Sequence, residues 1–361
     1  MLRAKLLALQ AVIGTMAGAS DDAVRTGAAA LAMAERLGDP GAVIATLRAR
    51  RHAHSGPDGV DVRLEVADRT VALAGEPASL WGHLWRFDAL MQLGRVHEAE
   101  VALDLFESGR IDLPLAHWYL SLGRAAVLQG RGRFADAFAC LDRASRLAER
   151  GDNPHGVAAT EIIRAYYLSA TRVGDSVPAA LRRGFASSLM ARLTLATLFV
   201  AMEDLDRARE HYQALPPVDQ AQIQEWYRLT IYGQYAQVAA ALGDPVGASA
   251  AYERLLPYAS LHMTNGANVA LTGGSVHHYL GLAAATAGRV DTAVDHFRAA
   301  VAANAASGLL PRLAESRHRL ALALLARGEQ AEALTNAKEA NAIAGSLGMP
   351  RLLARTAELL A

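Results

Sequence analysis

Cysteine is nearly missing from this 361-residue chain, in which Cys140 is the only one. A disulfide within the chain and a metal site built from several thiolates are therefore excluded. Cys140, in an alanine-rich stretch, reads as a small buried apolar residue. Charge of one sign is missing too: 36 basic and 36 acidic side chains cancel. That balance gives no electrostatic reason to expect nucleic acid or an anionic membrane. Lysine is reduced to Lys5 and Lys338. No stretch approaches the roughly 18 uncharged apolar residues that span a bilayer. Sparse β-branched residues, against abundant alanine and leucine, favour helix over strand. With 52% hydrophobic and 20% charged residues, the composition favours a folded chain over a disordered one. The chain is longer than one core usually supports, so it holds several domains or one extended repeat array.

At the N-terminus, Arg3 and Lys5 precede Leu6-Leu7-Ala8-Leu9, and Ala17-Gly18-Ala19 has the outline of a cleavage site. A secretory signal would look like this. Gln10 interrupts the apolar stretch, however, and the same residues read as an amphipathic first helix of a cytoplasmic protein.

What is present is a repeat. A helix ends near Gly, a charged or polar residue or two follows, and a second helix opens with Ala. The unit occurs as Leu93-Gly94-Arg95-Val96-His97-Glu98-Ala99 and Leu242-Gly243-Asp244-Pro245-Val246-Gly247-Ala248. It returns at Gly288 and Gly328, with weaker copies at Gly38, Gly130, Gly174 and Glu203. Glycine suits the left-handed residue that ends a helix, and proline tolerates the first helical position. The second helix carries Ala and a larger residue four positions on: Ala99/Leu103, Ala137/Leu141, Ala208/Tyr212, Ala248/Tyr252 and Ala293/Phe297. Such pairs share a helix face. Seven residues before the turn the first helix carries Gly123, Ala196, Ala236, Gly281 or Ala321, a rule that Phe87 and Tyr167 break.

These positions are the tetratricopeptide signature, whose usual unit is about 34 residues. From Gly94 onward the turns lie 36, 44, 29, 40, 45 and 40 residues apart, so the repeats are long and degenerate. The expectation is an all-α chain of about 19 helices, a single array over residues 1–361. Antiparallel helix pairs should stack into a right-handed α-solenoid with negligible sheet. Pro216-Pro217 marks a possible break near 214–218, between a short helix and a long one over about Asp219 to Leu242. Ala259 to Gly274, with Asn265-Gly266 and Gly273-Gly274, reads as an irregular loop, and loops of that length are either functional or disordered.

Tyr252-Glu253-Arg254-Leu255-Leu256-Pro257-Tyr258-Ala259, Gly274-Ser275-Val276 and Tyr279-Leu280-Gly281-Leu282-Ala283 carry a resemblance, joined by Ala34-Glu35-Arg36-Leu37-Gly38-Asp39-Pro40. They look like the C-terminal helical region of actinobacterial LuxR-type and cyclase-linked signal-transduction ATPase regulators. The resemblance runs along nearly the whole chain, on loose and mainly structural motifs. It implies a sensing or docking role for the repeats. Two departures limit it. There is no G-x-x-x-x-G-K-[ST] phosphate loop, and nothing after Leu360 would form a DNA-reading domain. ATP hydrolysis and direct transcription control are not carried over.

Catalytic motifs are not found. Gly273-Gly274-Ser275-Val276-His277 is not the G-x-S-x-G nucleophile turn, and Ser275 reads as a helix N-cap. His277 and His278 diverge by roughly 100° on a helix, His52 and His54 also face different ways, and no H-E-x-x-H occurs. No catalytic residue, metal or cofactor is expected. Trp81/Trp85, Tyr232/Tyr235, Trp118-Tyr119 and Tyr166-Tyr167 suit core packing between repeats, or an aromatic-lined pocket.

In tetratricopeptide arrays the first helices line the concave face. Counting from the small residue, positions six and three before it and one after it should face the groove. That selects Trp81, Asp88, His117, Arg124, Glu161, Arg164, Thr230, Gln237, Ser275, His278, Glu315 and His318. The mixture of charges and neutral polar groups suits a small polar molecule, an anionic metabolite or a peptide, and argues against a polyanion. His117, Arg124, Arg164, His278 and His318, separated by up to 201 residues, should share one wall. The reading is a binding, scaffold or ligand-sensing module with a protein partner or a small polar ligand, a homo-oligomer being open. The alternative is an enzyme or accessory protein of a natural-product biosynthetic pathway that uses the groove as its active site.

Overall fold

The computed structural model describes residues 1–18, 20–73, 77–109, 113–171, 188–264 and 271–361. The repeat copy expected at Gly174 and the Asn265-Gly266 pair lie outside them. Eighteen α-helices are described. The first nine are α1 (Leu2–Met16), α2 (Ser20–Leu37), α3 (Pro40–Ala53), α4 (Val60–Ala72), α5 (Trp81–Gln92), α6 (Val96–Ser108), α7 (Pro114–Gly130), α8 (Phe134–Arg150) and α9 (Pro154–Thr171). Then come α10 (Leu189–Ala201), α11 (Leu205–Gln213), α12 (Arg228–Leu242), α13 (Pro245–Leu255), α14 (Val276–Thr286), α15 (Val290–Ala306), α16 (Leu310–Arg327), α17 (Gln330–Leu347) and α18 (Pro350–Leu360). Sequence neighbours pack as antiparallel hairpins, α7 on α8, α14 on α15 and α16 on α17 among them. This is an all-α helical-repeat solenoid.

The turns fold as their residues require. Gly94, Gly243, Gly288 and Gly328 take φ of 73°, 68°, 76° and 85°, a region closed to most side chains. At the weaker copy near Gly130 the left-handed residue is Gly132, with φ 77°, because α7 runs on through Gly130. Asp244 caps α13, accepting from the N–H groups of Val246 and Gly247 at 3.1 and 3.0 Å, and Pro245 fills the first helical position. A cap of this kind contributes about 1 kcal/mol.

The small and large positions interlock. A Cβ added to Gly281 on α14 would lie 2.6 Å from the ring of Phe297 on α15, so the glycine makes room for that ring. One added to Gly123 on α7 would lie 3.2 Å from Leu103 on α6. Phe297 and Leu103 are almost fully buried.

Two stretches differ from expectation. The long helix begins at Arg228, not Asp219: Gln220, Gln222 and Gln224 are exposed, and residues 219–224 have no apolar stripe for a helix to bury. The expected loop contains a two-stranded antiparallel hairpin, β1 (His262–Thr264) and β2 (Thr272–Ser275). Its register pairs His262 with Ser275, Met263 with Gly274 and Thr264 with Thr272. In Thr-Gly-Gly-Ser the two central glycines disfavour a strand, so propensity does not predict this. Tertiary space dictates it: both strands are buried. Met263 packs over Gly233 of α12, and His262 lies against Gly94, where added Cβ atoms would fall 2.2 and 2.4 Å from the neighbouring side chains.

In a simple solenoid each repeat touches only its neighbours. Here the chain folds back on itself, α16 packing on α7 and α18 on α9. Arg131 donates to the carbonyls of Ser307 and Gly308 at 3.0 and 3.2 Å, and Ser307 Oγ donates to the Gly94 carbonyl at 2.8 Å. Arg351 donates to the Ser169 carbonyl at 2.9 Å. Leu309, with no exposed surface, sits in the cluster of Phe87, Leu103 and Phe106. Burying such a side chain contributes roughly 1.5–3 kcal/mol.

Gly281→Leu should destabilise the fold by about 1–3 kcal/mol through overpacking against Phe297. Urea denaturation checks it, and an unchanged midpoint would contradict the close contact.

Candidate functional site

Folding back forms a cavity of about 560 Å³ that is partly open to solvent. It is walled by α7, α9, α10, α12, α14, α16 and α18, with the β-hairpin entering from one side. The first helices present one recurrent position to it. Two residues before the small residue stand Gln234 on α12, Tyr279 on α14 and Arg319 on α16, and all three line the cavity.

Its polar groups are bonded in separate sets. Gln234 donates to Tyr166 Oη at 2.5 Å, Thr230 Oγ1 to the Thr264 carbonyl at 2.8 Å, and Tyr279 Oη to the Gly273 carbonyl at 3.2 Å. Ser316 Oγ accepts from Asn304 Nδ2 at 3.1 Å and lies 3.0 Å from His278 Nδ1. A hydroxyl can give one proton and accept two, so the direction of the His278–Ser316 bond follows the tautomer of the neutral ring. Among the described residues, Gln129 Oε1, Gln234 Oε1, Thr264 Oγ1, Arg312 Nε and His318 Nδ1 are buried around this cavity without a partner. Buried polar atoms are rarely left so, each costing roughly 1–3 kcal/mol.

Four arginines line the cavity, Arg312, Arg319, Arg351 and Arg355, against two glutamates, Glu203 and Glu315. Two positive charges are in excess. Arg312 donates to Glu315 at 2.7 Å. Their side chains keep 26% and 30% exposure, which faces the cavity that both line. Burial opposes the charge on Arg312, but the nearby Glu315 carboxylate and Tyr279 outweigh it and raise its pKa. Burial likewise opposes the Glu315 carboxylate, and the positive Arg312 beside it holds its pKa below the ordinary value. His278 is pushed down to about 3 by burial and, secondarily, by Arg312 and Arg319, against the pull of Glu315. His318 is pushed down to about 4 by burial and then by Arg319 and Arg355. Both rings are neutral at physiological pH.

Of the twelve residues selected by register, Thr230, Gln237, His278, Glu315 and His318 line this cavity. The other seven stand elsewhere. Ser275 is the N-cap of α14, accepting from His277 N at 3.3 Å, and is 1% exposed. Asp88 is buried in an ion pair with Arg51. Trp81 packs on Phe106 and Tyr119, ring centres 5.5 and 6.2 Å away, and His117 is half-buried on α7. Arg124 pairs with Glu107 of α6 at 2.7 Å, and Arg164 with Asp142 of α8 at 2.7 Å. Glu161 lies 3.9 Å from Arg164. The expected common wall thus holds His278 and His318, while Arg124 and Arg164 direct their charge to carboxylates on the preceding second helices.

Register counting missed Gln234, Tyr279, Arg312 and Arg319. Gln234, Tyr279 and Arg319 lie four residues beyond the selected position six before the small residue, one helical turn along the same face. Adding that turn would have found them. Arg351 and Arg355 belong to the last helix, which lies beyond the last of the recurring turns.

His262 is likewise pushed down to about 4, by burial and by His277. An unfolded histidine titrates near 6.5. Between that value and 4 the unfolded chain binds protons that His262, His278 and His318 in the folded chain do not, so acidification favours unfolding. Each site contributes up to about 1.4 kcal/mol per unit of depression. The melting temperature should fall between pH 6.5 and 4.5, less steeply in His278→Gln. A flat profile in both proteins would contradict the burial of these rings as neutral groups.

No protein-family model and no curated protein sequence matches the chain. Among solved structures it is similar to the crystal structure of the yeast Tom70, at 13% identity over 99% of this chain and 95% of that one, with a TM-score of 0.29. It is also similar to the APC/C hetero-tetramer Cut9-Hcn1, at 15% identity over 98% and 96%, with a TM-score of 0.22. Superpositions this loose carry no argument about this chain, whose helical-repeat architecture rests on its own helix pairs and turns.

Proposed function

We propose that this chain is a ligand-sensing module that holds one small polar molecule in the chamber made by its folded-back solenoid. The observation that carries this reading is the chamber itself: about 560 Å³, with polar side chains converging from seven helices. Small-molecule sites typically run to about 300–1,000 Å³, apolar walls carrying a few placed polar groups.

A ligand here touches both arcs of the coil, α7 and α9 on one side and α16 and α18 on the other. Binding to the folded-back state alone stabilises it by mass action, about 2.7 kcal/mol at a hundred times the dissociation constant. That linkage is what a sensor requires, and it agrees with the role implied by the resemblance to signal-transduction ATPase regulators. An enzymatic reading is less well supported. General bases work best with a pKa near the operating pH, and the chamber histidines lie at about 3 and 4.

Native mass spectrometry of freshly purified protein tests the reading. Wild type should retain a small molecule of defined mass. Gln237→Trp, which fills the chamber from α12, should emerge without it at unchanged helicity. Bare wild type, or equal retention by both proteins, would count against the proposal.

A further inference from the structure

Beside the main chamber lies a smaller cavity of about 200 Å³ between α12, α14, α15 and α16. Its walls are apolar: Leu282, Val290, Phe297, Leu322 and several alanines. Only two polar residues line it, Thr286 and Arg319. Thr286 Oγ1 already donates to the Leu282 carbonyl at 2.9 Å. Ala240, Leu282 and Arg319 line both cavities and form the wall they share.

Arg319 differs from the other chamber arginines. Arg312 is bound to Glu315, Arg355 donates to Glu203 at 3.1 and 2.5 Å, and Arg351 donates to the Ser169 carbonyl. Arg319 makes no hydrogen bond and no ion pair among the described residues, although it is half-buried. Burial, and next the like charge of Arg355, push its pKa below the ordinary value, with Glu315 pulling the other way. A guanidinium stays charged under such conditions. The fold thus places an unneutralised cation, with its planar fork of donors, at the shared wall of a polar chamber and an apolar one.

We propose, resting on the chamber reading above, that its ligand is an organic acid whose carboxylate is gripped by Arg319 and whose apolar body occupies the side cavity. One guanidinium fork matches one carboxylate through two parallel hydrogen bonds. The groups facing that position are compatible. His278 and His318 are neutral, the Glu315 carboxylate is engaged by Arg312 and Arg355 by Glu203. One added negative charge lowers the chamber's excess from two positive charges to one. Inorganic phosphate shares the attraction to arginine but has nothing to place against Leu282 and Phe297.

The test is calorimetric titration with acetate, butyrate and hexanoate at constant ionic strength. Inorganic phosphate, hexylamine and hexan-1-ol are the comparison probes. Affinity should rise about fourfold per methylene from acetate to hexanoate, with hexanoate well ahead of phosphate and hexylamine. Arg319→Met should weaken hexanoate tenfold or more while leaving hexan-1-ol unchanged, and Arg319→Lys should fall between. Ala323→Leu, which fills the side cavity from α16, should flatten the chain-length dependence. It serves as an independent arm if Arg319→Met does not fold. The anchor is refuted if Arg319→Met binds hexanoate as tightly as wild type, if hexylamine or phosphate matches hexanoate, or if no acid binds. Binding of hexan-1-ol alone would refute the anchor and leave the chamber standing. Failure of every probe, together with bare protein in native mass spectrometry, would remove both.

Discussion

The chamber depends on the contact by which the late repeats return to the early ones. Arg131, just beyond the end of α7, donates to two carbonyls at the end of α15, and Leu309 beside them is sealed among Phe87, Leu103 and Phe106. The hydrogen bonds reach across 176 and 177 residues. A helix leaves its last carbonyls without partners, and a cation at that end is favoured by the helix dipole. Arg131 meets both conditions, and the apolar seat of Leu309 adds what hydrogen bonds in partial contact with water do not. The late repeats thereby stand across from α7 and α9, and the side chains two residues before the small position, Gln234, Tyr279 and Arg319, line the cavity between them.

The helical pairs were legible because their causes are local. Gly94, Gly243, Gly288 and Gly328 end helices by their own conformational freedom, and Ala-plus-large spacing marks a face whatever that face meets. Gly281 was legible for the same reason, since a glycine inside a helix points to a close neighbour, and Phe297 is that neighbour. The hairpin of β1 and β2 was not legible. Its strands exist because Gly94 and Gly233 leave room for His262 and Met263, and that room is a property of helices distant in sequence. The start of α12 was misplaced because glutamine-rich residues have helical propensity but nothing to bury.

The candidate site was half legible. Counting along the first helices found Thr230, Gln237, His278, Glu315 and His318, because helical periodicity continues from repeat to repeat. Counting could not tell which groups would be consumed by the fold. Arg124 and Arg164 have the same chemistry as Arg319, yet Asp104, Glu107 and Asp142 stand within reach of the first two. The nearest carboxylate on the helix of Arg319, Glu315, is held by Arg312. Neutralisation is set by pairwise distances across helices, and repeat register does not contain them.

Glu203 occupies a turn position where other repeats use glycine, and it takes φ 65°. A residue with a side chain in that conformation costs roughly 1–2 kcal/mol. Its ion pair with Arg355 is partly exposed, 40% and 54%, so it returns at most about 1 kcal/mol. Glycine would make the more stable turn. It would also strip one of the two carboxylates from the chamber wall and leave Arg355 bare, raising the excess from two positive charges to three. The local geometry of a tight turn and the electrical character of the cavity that the turn borders are thus set by one side chain. A sequence chosen for the best turn would leave the cavity with a different charge.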